Sequence, residues 1–329
     1  MNLLVSRAGI GRRSLGSMAG AALISATPAF ASPASPASAV RIGTQKGGPI
    51  LMAERQRRGL EAVLNPLGVA VKWVEFPFGP PIMEAIRVGA VDIGYAGDAP
   101  PIFAQAAKTD LLYLAAVPAS ASAILLPAGS EIRTLADLRG KRIAFARGSS
   151  AHNLMIAAVE HAGLTLDDIR QAPLVPADAA AAFERGAIDA WSIWDPFYAL
   201  YETRLGVRTL VTSDGIAPQN SFFLGARGFV ESNADLIRTI LAELNAVTAW
   251  AGANRDDVAR LVSEGTGVPL EPTTRVMRRY PFKIVPISAE HVRAQQDIAD
   301  RFHRVGVQPM PINIADAIWH PPGVTRTGG

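Results

Sequence analysis

Apolar runs alternate with helical segments along most of the chain beyond residue 40. The runs at 40–44 and 89–95 have the length and composition of buried strands, and 69–76 alternates between apolar and polar positions as a half-exposed strand does. Segments with helical patterns lie between them, at 50–64 and 81–88. Strands that alternate with helices at this spacing predict a parallel sheet in an α/β fold.

A second series of strands and helices begins in the middle of the chain. Strand 141–146 leads through the turn Gly148-Ser149-Ser150 into helix 154–160. This arrangement predicts an anion site, because the first N–H groups of a helix have no intrahelical partner and the helix dipole is positive there. The same residues are also typical of a helix cap that binds nothing.

Two pairs of segments repeat at nearly the same offset. Residues 41–48 are similar to residues 142–149, because Arg-Ile opens each strand and a cation, a glycine and a small residue close it. The sequence Gly-Ala-Val-Asp at 89–92 is similar to Gly-Ala-Ile-Asp at 186–189. Since both pairs keep their order along the chain, they predict two α/β lobes of similar plan.

Each predicted lobe has two turns at the carboxyl ends of its strands. Ligands of open parallel sheets bind beyond these ends. If the lobes face each other, the turns 45–49, 96–100, 147–153 and 194–196 converge on one cleft, which would close by hinge motion. The candidate ligand-binding residues in these turns are Gln45, Lys46, Gly47, Gly97, Asp98, Ser149, Ser150, His152, Asn153, Trp194 and Asp195.

Most of these side chains donate hydrogen bonds, as an anion without protons requires. Asp98 and Asp195 are exceptions, and we expect them to cap the helices that follow them. We expect Trp194 to line the cleft and Trp191 to lie in the core. His152 is more typical of a donor at a helix start, or of a structural residue, than of a catalytic base.

The sequence lacks the residues and motifs of several enzyme and metalloprotein classes. It contains no cysteine, which excludes disulfides, thiolate zinc sites and a cysteine nucleophile. The nucleophile elbow, the HExxH zinc motif and the phosphate-binding loop are absent. The five histidines are scattered and do not cluster with carboxylates at metal-ligand spacing. The sequence therefore predicts neither a metal site nor a cofactor.

The first 31 residues have the features of a signal peptide. Arg7, Arg12 and Arg13 form the charged region, a short apolar region follows, and Ala-Phe-Ala at 29–31 fits a cleavage site. The mature chain would then begin near Ser32. The adjacent arginines are also compatible with a twin-arginine signal, so both export routes stay open.

Removal of residues 1–31 changes the net charge of the chain. The full sequence has 32 Lys and Arg against 29 Asp and Glu, and the removed segment holds three Arg and no acid, which leaves 29 of each sign. A neutral mature protein argues against a nucleic-acid or anionic-membrane partner. Residues 32–39 are rich in Ser, Pro and Ala, which predicts a flexible linker.

Several motifs together resemble one family. The matching segments lie at 41–47, 73–80, 97–106, 148–154, 176–178 and 189–196. On these motifs, which span nearly the whole mature chain, the protein is similar to the aliphatic-sulfonate-binding proteins of ABC importers, within the wider nitrate, taurine and sulfonate group of periplasmic binding proteins. The resemblance implies a periplasmic location, an ABC permease as partner, and a two-lobed class II fold with the sulfonate on the turns described above.

The domain boundaries follow from the crossovers and this resemblance. We expect lobe 1 at 40–118, lobe 2 at 119–221, and a return to lobe 1 with C-terminal helices at 222–329. Phe78 departs from the family, which has a small residue there. At the edge of the cleft it would narrow the site or favour an aromatic or flat ligand.

Alternative ligands and one enzymatic function stay open. Taurine, nitrate, a sulfate ester or an aromatic sulfonate could replace an aliphatic sulfonate, and taurine would require a free carboxylate from Asp98 or Asp195 for its ammonium group. Relatives of this fold include a pyrimidine synthase that uses a lysine and a histidine. Lys46 and His152 are the candidates here, although an export signal makes such an enzyme a weaker interpretation.

Overall fold

The computed structural model describes residues 37–118, 121–204 and 206–322. The predicted signal peptide at 1–31 and most of the predicted linker lie outside these residues. Among the described helices, none is long and apolar enough to cross a membrane. The described residues form two five-stranded sheets with helices packed on their faces, so the predicted α/β fold with two lobes is confirmed.

The elements follow one another in three segments. The first contains β1 (Ala39–Gln45), α1 (Pro49–Arg57), α2 (Gly59–Leu64), β2 (Ala70–Phe76), α3 (Gly79–Arg87), β3 (Ile93–Gly97), α4 (Ala99–Ala106) and β4 (Leu111–Pro118). The second contains β5 (Ser122–Leu126), β6 (Arg142–Phe145), α5 (Ser150–His161), β7 (Arg170–Pro173), α6 (Pro176–Glu184), β8 (Ala190–Trp194), α7 (Phe197–Glu202) and β9 (Arg208–Thr212). The third contains β10 (Asn220–Ala226), α8 (Arg227–Ser232), α9 (Ala234–Ala253), α10 (Arg255–Thr266), α11 (Leu270–Arg279) and α12 (Ala289–Arg304).

The two sheets have the same topology. The first has the order β2-β1-β3-β10-β4 and the second has the order β7-β6-β8-β5-β9. In each sheet the first three strands are parallel, and the fourth is antiparallel to both of its neighbours. That fourth strand, β10 or β5, directly follows a crossover of the chain from the other sheet.

The internal repeat has a structural basis at the start of each sheet. The Asp92 carboxylate accepts a hydrogen bond from the Arg41 backbone N–H, and the Arg41 carbonyl accepts one from the Asp92 N–H. Asp189 and Arg142 make the same two bonds in the second sheet. Each pair ties the first strand of its sheet to the segment before the third. The repeat therefore marks equivalent positions, as the sequence predicts.

One helix predicted from the sequence is two helices in the structure. The sequence predicts a helix over 50–64, but the chain breaks at Arg58, which has a φ of 57°. The buried Glu54 carboxyl accepts a hydrogen bond from the Leu60 N–H and so starts α2. A Cβ on Gly59 would overlap carboxyl oxygens of Glu54 and Glu243, so a larger residue at this turn would displace these side chains.

The two lobes share a buried apolar contact beside the crossovers. α4 of the first lobe packs on α5 of the second, and α12 packs on both. Phe302 of α12 lies 4.8 Å from Phe103 of α4 and 5.3 Å from His152 of α5, measured between ring centroids. One core cluster consequently extends through both lobes on this side.

Candidate functional site

A cavity lies between the two sheets, where the carboxyl ends of the parallel strands meet. Its volume is about 100 Å³, which suits a small molecule. Its lining comes from both lobes, both crossovers and the C-terminal helices. The lining residues are Gln45, Lys46, Gly47, Gly48, Pro49, Gly79, Pro80, Tyr95, Gly97, Pro100, Ser122, Ser149, Ser150, Trp194, Asp195, Pro196, Gln219, Ser221, Val262, Val276, Met277 and Tyr280.

Several helices begin at this cavity, but they differ in the N–H groups that they offer. α1, α3 and α4 each carry proline in the first turn, and Pro196 precedes α7. Proline has no N–H to donate. α5 has no proline there, and Ser150 and Ala151 occupy its first two positions, where a helix provides no acceptor for the N–H groups. α5 therefore offers both of its first N–H groups to an anion.

The two serines of this turn have different roles. The Ser149 hydroxyl donates to the Ala146 carbonyl at 2.7 Å and makes no cap bond to α5, contrary to the expected side-chain cap. Ser149 is buried, and its hydroxyl stabilises the turn. Ser150 presents its hydroxyl at the contact between the lobes. A Cβ on Gly97 would overlap Ser150 Oγ, so glycine at this position leaves room for the Ser150 hydroxyl between the lobes.

Asp98 and Asn153 lie behind the cavity wall and do not line it, unlike the prediction. Both are fully buried, and Asn153 Nδ2 donates to Asp98 Oδ2 at 3.3 Å. Asp98 Oδ1 accepts from the Ala99 N–H at 2.7 Å, as expected of a helix cap. Burial raises the pKa of Asp98 to about 6. The first turns of α4 and α5 face each other across this pair, which turns both side chains away from the cavity.

His152 also lies outside the cavity lining. Its ring stacks on Phe145 at 4.5 Å with an interplanar angle of 12°. Burial lowers the pKa of His152 to about 3, so the ring is neutral, and Nδ1 accepts a hydrogen bond from the Gly148 N–H at 3.3 Å. His152 therefore supports the turn from below, and it is placed neither to donate to a ligand nor to act as a base.

Phe78 is half-buried and does not line the cavity, so the expected narrowing by this ring does not occur. The next two residues, Gly79 and Pro80, form the wall instead. A Cβ on Gly79 would lie 2.8 Å from the Pro100 ring, so glycine is needed for this close packing of α3 on α4.

Asp195 lines the cavity as predicted, but its carboxylate is paired. Arg279 Nε donates to Asp195 Oδ2 at 2.8 Å, and Arg279 Nη2 donates to Oδ1 at 2.5 Å. The Asp195 side chain is 1% exposed, and burial raises its pKa although the Arg279 hydrogen bonds oppose the shift. Asp195 also accepts from the Ala199 N–H at 3.2 Å, which fulfils the predicted capping role.

The remaining predicted residues line the cavity. Gln45 Nε2 donates to the Tyr95 carbonyl at 2.8 Å, which fixes its amide beside the wall. Lys46 is exposed at the rim. Gly47 faces Pro196 across the opening. Trp194 lines the cavity, whereas Trp191 is 1% exposed in the core of the second lobe, as expected.

The sequence interpretation missed two groups of lining residues. The first is on the crossovers, where the Ser122 hydroxyl donates to Gln219 Oε1 at 2.7 Å and Gln219 Nε2 donates to the Ser150 carbonyl at 2.9 Å. The chain crossings between two facing sheets form the floor of the cleft. The polar residues of these crossings could therefore have been predicted to line the cavity. The second is the apolar wall of α10 and α11, with Val276 and Met277, and no local motif marks it.

Comparison with known proteins places the chain in a family. Residues 65–264 match the family described as ABC transporter, phosphonate, periplasmic substrate-binding protein. The chain belongs to this family of periplasmic substrate-binding proteins. The resemblance inferred from the motifs is thus confirmed.

The described residues contain no group of three or more His, Asp or Glu side chains that could hold a metal ion.

Two solved structures are similar over most of the chain. The alkanesulfonate-binding protein SsuA from Xanthomonas axonopodis pv. citri, bound to MOPS, is 38% identical with a TM-score of 0.81, and the match covers 87% of this chain and 99% of that one. The periplasmic aliphatic sulphonate binding protein SsuA from Escherichia coli is 38% identical with a TM-score of 0.79, covering 87% and 94%. The taurine-binding periplasmic protein of Escherichia coli (strain K12) is 28% identical over 52% of this chain and 54% of that protein.

Proposed function

We propose that this protein binds a small aliphatic sulfonate in the cavity between its lobes and delivers it to the permease of an ABC importer. The observation that carries the proposal is the start of α5, where Ser150 lines the cavity and the N–H groups of Ser150 and Ala151 have no intrahelical acceptors. A sulfonate has three acceptor oxygens and no proton to donate, so a site built of donors suits it. The two similar SsuA proteins support this ligand class.

The rest of the lining suits an alkyl tail. Val262, Val276 and Met277 from α10 and α11 line the cavity together with Trp194 and Pro100. Apolar side chains gain free energy when they remove a hydrocarbon chain from water. Nitrate has no tail and would leave this surface unused. The combination of a polar helix start and an apolar wall favours an alkanesulfonate.

Taurine is a weaker ligand candidate because, within the described part of the chain, the cavity lining has no unpaired carboxylate for its ammonium group. Asp195 is held by two hydrogen bonds from Arg279, and Asp98 lies behind the wall with Asn153. An ammonium ion would meet a carboxylate that is already neutralised. We therefore expect a strong preference for sulfonates without an amino group.

Binding without catalysis is part of the proposal. The lysine and histidine chemistry considered for an enzyme needs both groups at one cavity, and His152 is buried behind the wall while Lys46 is at the rim. An aromatic ligand is also less favoured, because Phe78, the residue that suggested it, does not line the cavity. We propose further that residues 1–31 direct the chain to the periplasm and are removed near Ala31.

Delivery to a permease requires that the two lobes move relative to each other. We propose the lobe boundaries 40–118, 119–221 and 222–329. Strand membership in the two sheets supports them, with the small difference that β10 of the first sheet begins at Asn220. The connections 118–122 and 212–220 would then be the hinges.

Isothermal titration tests the ligand class. The mature protein is titrated with methanesulfonate, butanesulfonate, benzenesulfonate and taurine in a buffer that itself contains no sulfonate. We expect butanesulfonate to bind most tightly and taurine at least about fivefold more weakly, since one unpaired or misplaced charge costs about 1 kcal/mol or more. Absence of heat with every sulfonate, in protein whose folding is verified by circular dichroism, would contradict the proposal.

A further inference from the structure

Asp98 is a buried carboxyl group that forms no ion pair with any cationic side chain among the residues that the structure describes. It is fully buried, and its two oxygens accept hydrogen bonds from the Ala99 N–H and from Asn153 Nδ2. None of the ion pairs between described residues includes it. A buried carboxylate that is stabilised only by neutral donors retains a large desolvation cost. Asp98 is thus poised to accept a proton.

The same carboxyl group adjoins the proposed anion site through Ser150. Asp98 follows Gly97, whose Cα lies so close to Ser150 Oγ that a Cβ would overlap it. The nearby Ser150 hydroxyl favours the charged form of Asp98 and opposes the burial that raises its pKa. Ser150 therefore stands between two groups that compete for its hydroxyl hydrogen, the Asp98 carboxylate on one side and a bound anion on the other.

The elements around Asp98 supply no compensating charge. On α12, Gln295 Nε2 donates to the Asp98 carbonyl and to the Tyr113 hydroxyl of β4, and burial raises the pKa of Tyr113, so this phenol is neutral. Arg301, also on α12, donates to Asn153 Oδ1 and is paired with Glu160. On α5, His152 is neutral because burial lowers its pKa to about 3.

We propose that Asp98 couples anion binding to the uptake of one proton, and that this coupling selects ligands that carry a single negative charge. The inference rests on the proposed function. When Asp98 is a carboxylate, it accepts the Ser150 hydrogen. When a proton adds to Asp98, the neutral carboxyl donates its O–H to Ser150 Oγ, and the Ser150 hydroxyl hydrogen becomes free to donate to the ligand. The repulsion between carboxylate and ligand disappears in the same step.

The coupling distinguishes a sulfonate from a phosphonate. A sulfonate carries one negative charge at every physiological pH, whereas a phosphonate acquires a second charge near neutral pH. Two charges on the ligand repel the Asp98 carboxylate more strongly, and the protonation of one carboxyl group offsets only one of them. Asp98 is thus a positioning and specificity residue that acts through Ser150 and does not touch the ligand.

The test uses the pH dependence of binding, which a purely structural Asp98 would not produce. Butanesulfonate does not titrate between about pH 5.5 and about pH 8, so any protons taken up on binding come to the protein. Titrations near pH 6.5 in bis-Tris and in imidazole, which differ in ionisation enthalpy, measure that uptake directly on the unmodified protein. We expect net uptake, and an affinity about tenfold higher at pH 5.5 than at pH 8, for a shift of about one pKa unit by the bound anion.

The variants Asp98→Asn and Asp195→Asn assign the proton. Asn is also a favoured N-cap, so Asp98→Asn retains the cap of α4, and its folding is checked by circular dichroism. We expect Asp98→Asn to lose the pH dependence and to bind butylphosphonate more tightly relative to butanesulfonate at pH 8. Asp195→Asn should bind more weakly at every pH, because it disrupts the pair with Arg279, but it should keep the pH dependence. Equal heats in the two buffers, or a pH dependence that disappears only in Asp195→Asn, would overturn the coupling. Absence of sulfonate binding at every pH would instead contradict the proposed function.

Discussion

Arg279 and Asp195 form a bidentate ion pair that connects the two lobes at the side of the cavity. Arg279 ends α11, which packs with the first lobe, and Asp195 follows β8 of the second sheet. The guanidinium also lies 4.4 Å above the Tyr198 ring and donates to Glu202 Oε2 at 3.2 Å. The lobes thus have one contact beside the crossovers, through α4, α5 and α12, and another at this ion pair.

Substitution of Arg279 by Gln should weaken ligand binding by favouring separated lobes. Loss of the guanidinium leaves the Asp195 carboxylate buried and unpaired, which costs on the order of 3 kcal/mol. Small-angle scattering should show a larger radius of gyration in the presence of ligand, and titration should show a higher Kd. Arg275→Gln is the matched control, because among the described residues the ion pair of Arg275 is with Glu271 of the same helix. Equal behaviour of the two variants would show that the ion pair does not hold the lobes together.

Substitution of Gly97 by Ala should interfere with the approach of the lobes. The added Cβ would overlap Ser150 Oγ, so either the serine moves or the lobes separate. Overpacking of this kind typically costs 1–3 kcal/mol, and we expect the Kd for butanesulfonate to rise on the order of tenfold. Gly228→Ala, in α8 and outside the proposed hinges, serves as control, since a Cβ there meets nothing within 4 Å. Unchanged affinity in Gly97→Ala would mean that this contact is not needed for binding.

The two serines of the α5 turn should differ when each is replaced by Ala. Ser150→Ala removes a hydroxyl donor at the cavity and should weaken binding by about 1 kcal/mol, roughly fivefold. Ser149→Ala removes the hydrogen bond to the Ala146 carbonyl and should lower the Tm more than the affinity. Titration and thermal unfolding of both variants check this. A larger loss of affinity in Ser149→Ala than in Ser150→Ala would mean that Ser149, and not Ser150, provides the hydroxyl that binds the ligand.

The stability of the first lobe should depend on the protonation of Glu54. Burial raises the pKa of Glu54 from 4.5 to about 7, so the folded protein binds a proton that the unfolded chain has released. This proton stabilises the folded state fully below about pH 4.5, and the stabilisation is lost as the pH rises through about 7. The total loss in the free energy of unfolding is on the order of 2–3 kcal/mol.

Urea unfolding at about pH 5 and about pH 8 measures this loss. In Glu54→Gln the free energy of unfolding should fall less between the two pH values than in the unmodified protein. Glu264→Gln, at an exposed glutamate of α10, should leave the difference unchanged. If the free energy of unfolding falls by the same amount between the two pH values in Glu54→Gln and in the unmodified protein, the Glu54 carboxyl is not the group that titrates.

The sequence predicts the fold and part of the site because these depend on local patterns. The turn at Ser149 and Ser150 follows from a strand, a glycine and a helix start, and the repeat at Asp92 and Asp189 reflects equivalent bonds in the two sheets. Such features involve neighbouring residues or a regular topology, and both can be inferred without coordinates.

Other parts of the site depend on distant contacts. Asp195 pairs with Arg279 across 84 positions, and the apolar wall at Val276 and Met277 comes from the last helices of the chain. Nothing in the local sequence indicates these contacts. The direction in which a side chain leaves a helix start is also not local, so the sequence places Asn153 at the cavity although packing against Asp98 turns it away.

A crystal structure of the mature protein with butanesulfonate tests the central claim most directly. The account predicts sulfonate oxygens about 3 Å from the backbone nitrogens of Ser150 and Ala151, and the butyl chain against Met277 and Trp194. Arg279 should remain bonded to Asp195 in that complex. A sulfonate bound outside the cavity, or a ligand with its alkyl chain at α5 and its sulfonate at Arg279, would contradict the account.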